Sequence, residues 1–176
     1  MSMREGAREA SIIDDMLREL EQEAATTRRL LERVPDDQLG WKPHPKARTL
    51  GELALHVAVV PGGVAQFAST PGPVQAPQFS SGPSPQSADE LVPALEKSVA
   101  EAREALGGMD ERTLQSDFRM MHEGREIFSI PRVAFLRSVM LNHWYHHRGQ
   151  LTVYLRQLGV PIPSIYGASA DENPFA

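Results

Sequence analysis

Residues 131–158 read PRVAFLRSVMLNHWYHHRGQLTVYLRQL, and this stretch decides the fold. Its apolar residues Val133, Leu136, Val139, Met140, Trp144, Leu151, Tyr154, Leu155 and Leu158 follow the three- and four-residue spacing of a helix face. Gly159 and Pro161 then close it. The spacing predicts one long helix. It also places His143 and His147 four apart, on the row that runs from Phe135 and Val139 to Leu151, so both imidazoles point toward the interior.

Three further segments carry the same period. From Ala10 to Val34, Ile12, Ile13, Met16, Leu17, Leu20, Ala24, Leu30 and Leu31 form a stripe that Pro35 stops. The capping-box pattern Thr49-Leu50-Gly51-Glu52 opens a second helix through Leu53, Ala54, Val57 and Val60, which Pro61-Gly62-Gly63 is expected to weaken or bend before Phe67. The same pattern at Ser87-Ala88-Asp89-Glu90 opens a third helix through Leu91, Leu95, Val99, Ala102 and Leu106, with a distorted start at Pro93 and an end at Gly107-Gly108.

The connections differ in kind. Trp41 to Pro45 reads as extended. Ser69 to Ser87, with five prolines among Gly, Ser and Gln, reads as a polar loop without regular structure. Asp110 to Ile130 fits an irregular connection or a small hairpin around Glu123-Gly124, and the tail from Pro161 onward is expected to pack over the helices. The expected architecture is therefore all-α: a four-helix bundle in a single domain over residues 1–176, with long connections after the second and third helices.

Composition bounds the function. A chain of 176 residues with 41% hydrophobic and 23% charged residues is in the globular range, and a formal charge of −5 offers a phosphate backbone no general attraction, so no nucleic-acid partner is expected. The absence of cysteine removes disulfides, thiolate metal sites and a cysteine nucleophile together. No apolar run is expected to reach the roughly 18 residues of a membrane span, and the polar start Met1-Ser2-Met3-Arg4-Glu5 is not a secretion signal, so no membrane partner and a cytoplasmic location are expected.

Any metal must then be held by His, Asp or Glu. His56, three after Leu53 and four before Val60, lies on or beside the apolar stripe of the second helix, and with His143 and His147 it can complete a facial set of three nitrogens. Zinc accepts three imidazoles and keeps a fourth position open, and nickel also suits imidazole. Spacing alone leaves two alternatives, a metal centre and hydrogen-bonded core histidines. His146 lies about a hundred degrees off the ligand row and is expected to be a supporting or surface group; His44 and His122 have no partner at helical spacing. Asn142, Tyr145 and Arg148 could line an interface or be solvated, and Trp41 and Trp144 read as packing anchors.

Two blocks, Trp41 to Ala58 and Leu141 to Gly167 with its following Ser169-Ala170-Asp171-Glu172, resemble the DinB-like family of metal-dependent enzymes, and the resemblance covers nearly the whole chain. It implies a homodimeric four-helix bundle with a divalent metal, zinc or nickel, on His56, His143 and His147. Members of the wider superfamily act as transferases or isomerases that use a low-molecular-weight thiol such as bacillithiol or mycothiol. The expected function is thus a thiol-dependent transferase, or an isomerase or hydrolase, acting on a small electrophile. The alternative is a non-catalytic, stress-related metal-binding protein. Pro61-Gly62-Gly63 and the Ser69–Ser87 loop depart from the family pattern and could shape the substrate mouth.

Overall fold

The computed structural model describes residues 11–77 and 82–175. Helix α1 (Ile12–Leu31) begins at a capping box in which Ser11 and Asp14 bond each other's backbone N–H. Helix α2 (Leu50–Ser69) begins at the expected box: Thr49 Oγ1 accepts from Glu52 N at 3.1 Å and Glu52 Oε2 accepts from Thr49 N at 2.8 Å. Helix α3 (Leu91–Gly107) follows a 3₁₀ turn (Ala88–Glu90). The box expected there is not formed, because Ser87 Oγ accepts from Asp89 N while Glu90 reaches back to the N–H of Gln86.

After a short helix α4 (Glu111–Gln115) the chain forms a hairpin, β2 (Asp117–His122) and β3 (Arg125–Pro131), and then runs helically from α5 (Arg132–Phe135) through a π-helical segment (Leu136–Asn142) into α6 (His143–Gln157). Glu123 and Gly124 at the hairpin tip both have positive φ, 47° and 78°, as a two-residue type I′ turn requires. Of the two alternatives for this region, the hairpin is the one formed.

Two expectations are corrected. The structure is mainly helical, but it also contains a three-stranded sheet with β2 at its centre. Its edge strand β1 (Val74–Gln75) lies inside the segment expected to lack regular structure and pairs in parallel with Met120 and Met121; its backbone bonds depend on a distant partner that no local pattern reveals. Residues 78–81 of that loop lie outside the described residues.

Pro61 does not interrupt α2 either. Proline has no N–H to offer the carbonyl one turn back, and the buried Val57 carbonyl instead accepts the Trp144 indole N–H at 2.8 Å. Gly62 N donates to Ser98 Oγ of α3 at 2.8 Å. A Cβ at Gly62 would lie 2.6 Å from the Ser98 carbonyl oxygen, so glycine there permits the close approach of α2 and α3. At Gly63 a Cβ would meet nothing within 4 Å.

Helix α2 is the centre of the packing, in contact with α1, α3, the π segment and α6. Leu53, Ala54, Val57, Ala58, Val60 and Ala65 bury it on several sides, against Met16, Leu20 and Leu30 of α1, Leu95 and Leu106 of α3, and Met140, Trp144 and Leu151 of the last helical run. A helix apolar nearly all round belongs in a core. This revises the expectation about membrane spans: α2 is long and apolar enough to cross a bilayer by length and composition, yet 56% of its most apolar window is buried inside the fold.

Arg148, expected at an interface or in solvent, is 1% exposed. Its guanidinium pairs with Glu23 at 2.5 Å, donates to Thr27 Oγ1 and the Glu23 carbonyl, bonds Tyr166, and lies over the Tyr145 and Tyr166 rings. Tyr145 donates to Glu19 at 2.9 Å. The tail does pack over the helices. Glu172 accepts from Arg29 of α1 and from Ser164 N, and Asp171 pairs with Arg156 of α6 and accepts from Ile162 N. The Arg156 hydrogen bond holds the Asp171 carboxyl below its ordinary range, and the Ser164 N–H does the same for Glu172.

Candidate metal centre

His56 lies two turns into α2, while His143 and His147 are the first and fifth residues of α6. The bond from Trp144 to the Val57 carbonyl joins the immediate neighbours of His143 and His56, and so sets the register in which these helices face each other. The three rings converge. His56 and His147 have centroids 4.5 Å apart, His143 and His147 4.4 Å, and His56 and His143 5.3 Å, and one nitrogen from each lies within 4.8 Å of the others. Among the described residues this is the one group of His, Asp or Glu compact enough to hold an ion, and no carboxylate joins it.

The hydrogen bonds fit a metal-ligand set. Gln150 Oε1 lies 2.7 Å from His147 Nδ1, so the neutral ring donates there and turns the Nε2 lone pair toward the cluster. His143 Nε2 lies 2.8 Å from His147 Nε2. His56 Nε2 is buried without a partner, as is His143 Nδ1, although the Val139 carbonyl one turn back favours the protonated form of that ring. A buried nitrogen lacking any partner costs about 1–3 kcal/mol; a shared cation would satisfy the His56 nitrogen and replace the close contact between the two Nε2 atoms. The donor set thus fits a divalent ion.

Electrostatics keep the rings neutral. Burial pushes His56 down to about 4, with His147, Arg48 and His143 adding to the effect. Burial also lowers His143 and His147, against the opposing Val139 carbonyl and Gln150 side chain respectively. Arg48, just before the α2 cap, acts on all three rings and has no carboxylate partner among the described residues. The Arg48 carbonyl accepts from Tyr154, seven residues beyond His147 on α6, which ties the loop to the helix.

Two members of the cluster, His56 and His143, form part of the wall of a cavity of about 530 Å³. Helix α2 contributes His56, Gly63, Val64 and Phe67, and the last helical run contributes Phe135, Val139 and His143. Pro77 closes one side, and Met120 and Phe128 of the hairpin close another. In the π segment, Ser138 Oγ donates to the Ala134 carbonyl at 2.8 Å, a local bond of the kind that loosens an α-helical ladder. π turns often occur at functional sites.

The structure therefore brings together His56, His143 and His147, the three residues singled out from spacing. It leaves His146 exposed on the outside of α6, with its ring 5.0 Å from that of His147. His44 is exposed, its Nδ1 accepting from Lys46 N, and His122 is exposed at the end of β2. Sequence reasoning missed Gln150, although its position three after His147 was a signal, and it missed the hairpin wall, for which no local signal exists.

The DinB family model matches residues 3–173. The chain is 30% identical over 161 residues to the uncharacterised protein YrdA of Bacillus subtilis (strain 168), covering 91% of each. A solved DinB-like protein from Bacillus cereus ATCC 10987 superposes with a TM-score of 0.69 at 28% identity, covering 88% of this chain and 97% of the other. A member from Exiguobacterium sibiricum 255-15 superposes at 0.57 with 20% identity, covering 92% and 97%, a likeness of fold alone. By a family match over nearly its whole length, the chain belongs to the DinB family.

Proposed function

We propose that this protein is a metal-dependent enzyme whose His56, His143 and His147 hold a divalent ion, zinc or nickel, and at which an external low-molecular-weight thiol gives its proton to water and forms a sulfur–carbon bond to a small electrophile, whose leaving group departs with the electron pair of the bond that breaks. The observation that carries it is the convergence of three neutral imidazoles, with no fourth ligand among the described residues, beside an apolar cavity whose wall includes His56 and His143. When bound, the ion supplies positive charge that favours thiolate over thiol near neutral pH.

The chain's own residues account for the rest. With no cysteine, this chain cannot provide a thiol nucleophile, so the sulfur comes from a cosubstrate. Arg48, with no carboxylate partner among the described residues, adds positive charge that acts on the three rings and favours an anionic sulfur over its protonated form. Gln150 holds His147 in the tautomer that presents Nε2. Phe67, Phe128 and Phe135 exclude water from the space where an electrophile would sit. In the same reading the four long helical runs form the family's bundle, the protein works as a homodimer, and its location is the cytoplasm.

The test is metal stoichiometry and a thiol titration on tag-free protein. His56→Ala, His143→Ala and His147→Ala should each lose bound metal, and His146→Ala should keep it. Cobalt-substituted protein titrated with 2-mercaptoethanol should develop a sulfur-to-metal charge-transfer band. Retention of metal by all three single variants would overturn the ligand set. Absence of the band in fully loaded protein would overturn the thiol chemistry and leave a purely structural ion.

A further inference from the structure

Adjacent glycines in α2 serve opposite ends. Gly62 faces α3, where a Cβ would collide with the Ser98 backbone; Gly63, itself exposed, lines the cavity at its open side, and a Cβ there would meet nothing within 4 Å. Gly63 lies seven residues after His56, two helical turns along the same face of α2. A side chain there would project into the space beside the imidazoles.

The rest of that space has a uniform chemistry. Val64, Phe67, Met120, Phe128, Phe135 and Val139 supply its walls, and among the described residues the imidazoles of His56 and His143 are the polar side chains that border it. Phe67, Phe118, Phe128 and Phe135 pack in a mutual aromatic cluster with centroids 4.1 to 6.3 Å apart, so this wall is held rigidly. A cavity of about 530 Å³ falls within the roughly 300–1,000 Å³ span of small-molecule sites. A charged group placed between Phe67 and Phe128, away from the histidines, would lose its water and gain no hydrogen-bonding side chain among the described residues, whereas hydrocarbon would gain with each methylene buried.

We infer that Gly63 determines the substrate class: by withholding a side chain, it keeps open beside the three histidines a cavity that admits a neutral aromatic or branched-hydrocarbon group. This rests on the proposed function in one respect, that the group belongs to the electrophile. The cavity and its preference follow from the apolar lining alone. The reactive end of such an electrophile would border His56 and His143, and its hydrocarbon end would extend between Phe67 and Phe128.

The test is a plug. Gly63→Leu introduces a strong helix former at a helical position with room around it, so the variant should fold and keep metal stoichiometry. Fluorescence titration of chelator-treated protein with the neutral probe N-phenyl-1-naphthylamine should show wild-type binding, a loss of at least about tenfold in Gly63→Leu, and much weaker binding of a carboxylated analogue to the wild type, the tenfold corresponding to roughly two buried methylenes. Phe128→Gln, which makes the opposite wall polar from a half-buried strand position, should weaken the probe similarly and serves if Gly63→Leu does not fold. Equal binding to the wild type and the folded variants, no binding to the wild type, or a preference for the carboxylated analogue would overturn the inference. Because the probe needs neither thiol nor turnover, failure of the thiol reading leaves this result intact. In the reverse case, thiol transfer that persists while the probe fails to bind would remove only the cavity assignment.

Discussion

Replacing Trp144 by Phe removes one hydrogen-bond donor from a place where the helix cannot supply another. The Val57 carbonyl is buried and faces Pro61, which lacks an N–H, so the indole donor at 2.8 Å takes the place of the usual backbone bond. Leaving that carbonyl unpaired costs about 1–3 kcal/mol, and the void behind the smaller ring adds about 1 kcal/mol, so Trp144→Phe should destabilise by about 2–4 kcal/mol. Pro61→Ala restores the missing N–H, and in that background the hydrogen-bond part of the loss should fall by about 1–2 kcal/mol. Urea denaturation of the four proteins in this double-mutant cycle measures the coupling. Losses that add to within about 0.3–0.5 kcal/mol would refute the argument that proline and indole are partners across the α2–α6 contact. Because Val57 and Trp144 flank His56 and His143, Trp144→Phe should also weaken metal binding without touching a ligand.

Two further outcomes follow from the same geometry. His56, His143 and His147 all titrate below the ordinary imidazole value, so between about 6.5 and His56's value of about 4 the unfolded chain binds more protons than the folded one. Stability of chelator-treated protein is then fully present above about pH 6.5 and falls as pH drops toward 4, and bound metal steepens the loss because protons compete for its ligands. Denaturation midpoints that stay flat across that window would contradict the burial of these rings. Gly62→Ala sets a gain of about 0.5–1 kcal/mol in helix propensity against overpacking of about 1–3 kcal/mol, since the atoms in the way are Ser98 backbone. The expected net loss is on the order of 1–2 kcal/mol. A urea midpoint at or above wild type would show that α3 moves aside freely.

Several features were already determined by the sequence. The stripes of α1, α2, α3 and the last helical run, the Thr49–Glu52 box and the i,i+4 pair His143 and His147 are local facts, encoded in residues no more than a few turns apart. His56 on its apolar stripe was legible too, which is why all three members of the cluster were identified. Tertiary structure decided what depends on partners distant in sequence. Pro61-Gly62-Gly63 reads locally as a point where the helix weakens or bends, yet Pro61 stays helical with an indole 83 positions away serving the carbonyl it deprives, and Gly62 lets α3 close in. Arg148 reads as a surface charge until Glu23, Thr27 and Tyr166 surround it. Val74-Gln75 becomes a strand because Met120 and Met121 lie beside it. The cavity exists in no segment alone: α2 leaves the gap at Gly63, and the hairpin and the π segment wall it in. Periodicity fixes which face of each helix is apolar, because that depends on residues within a turn or two; which surface meets that face, and how much space remains between them, depends on side chains brought together only by folding.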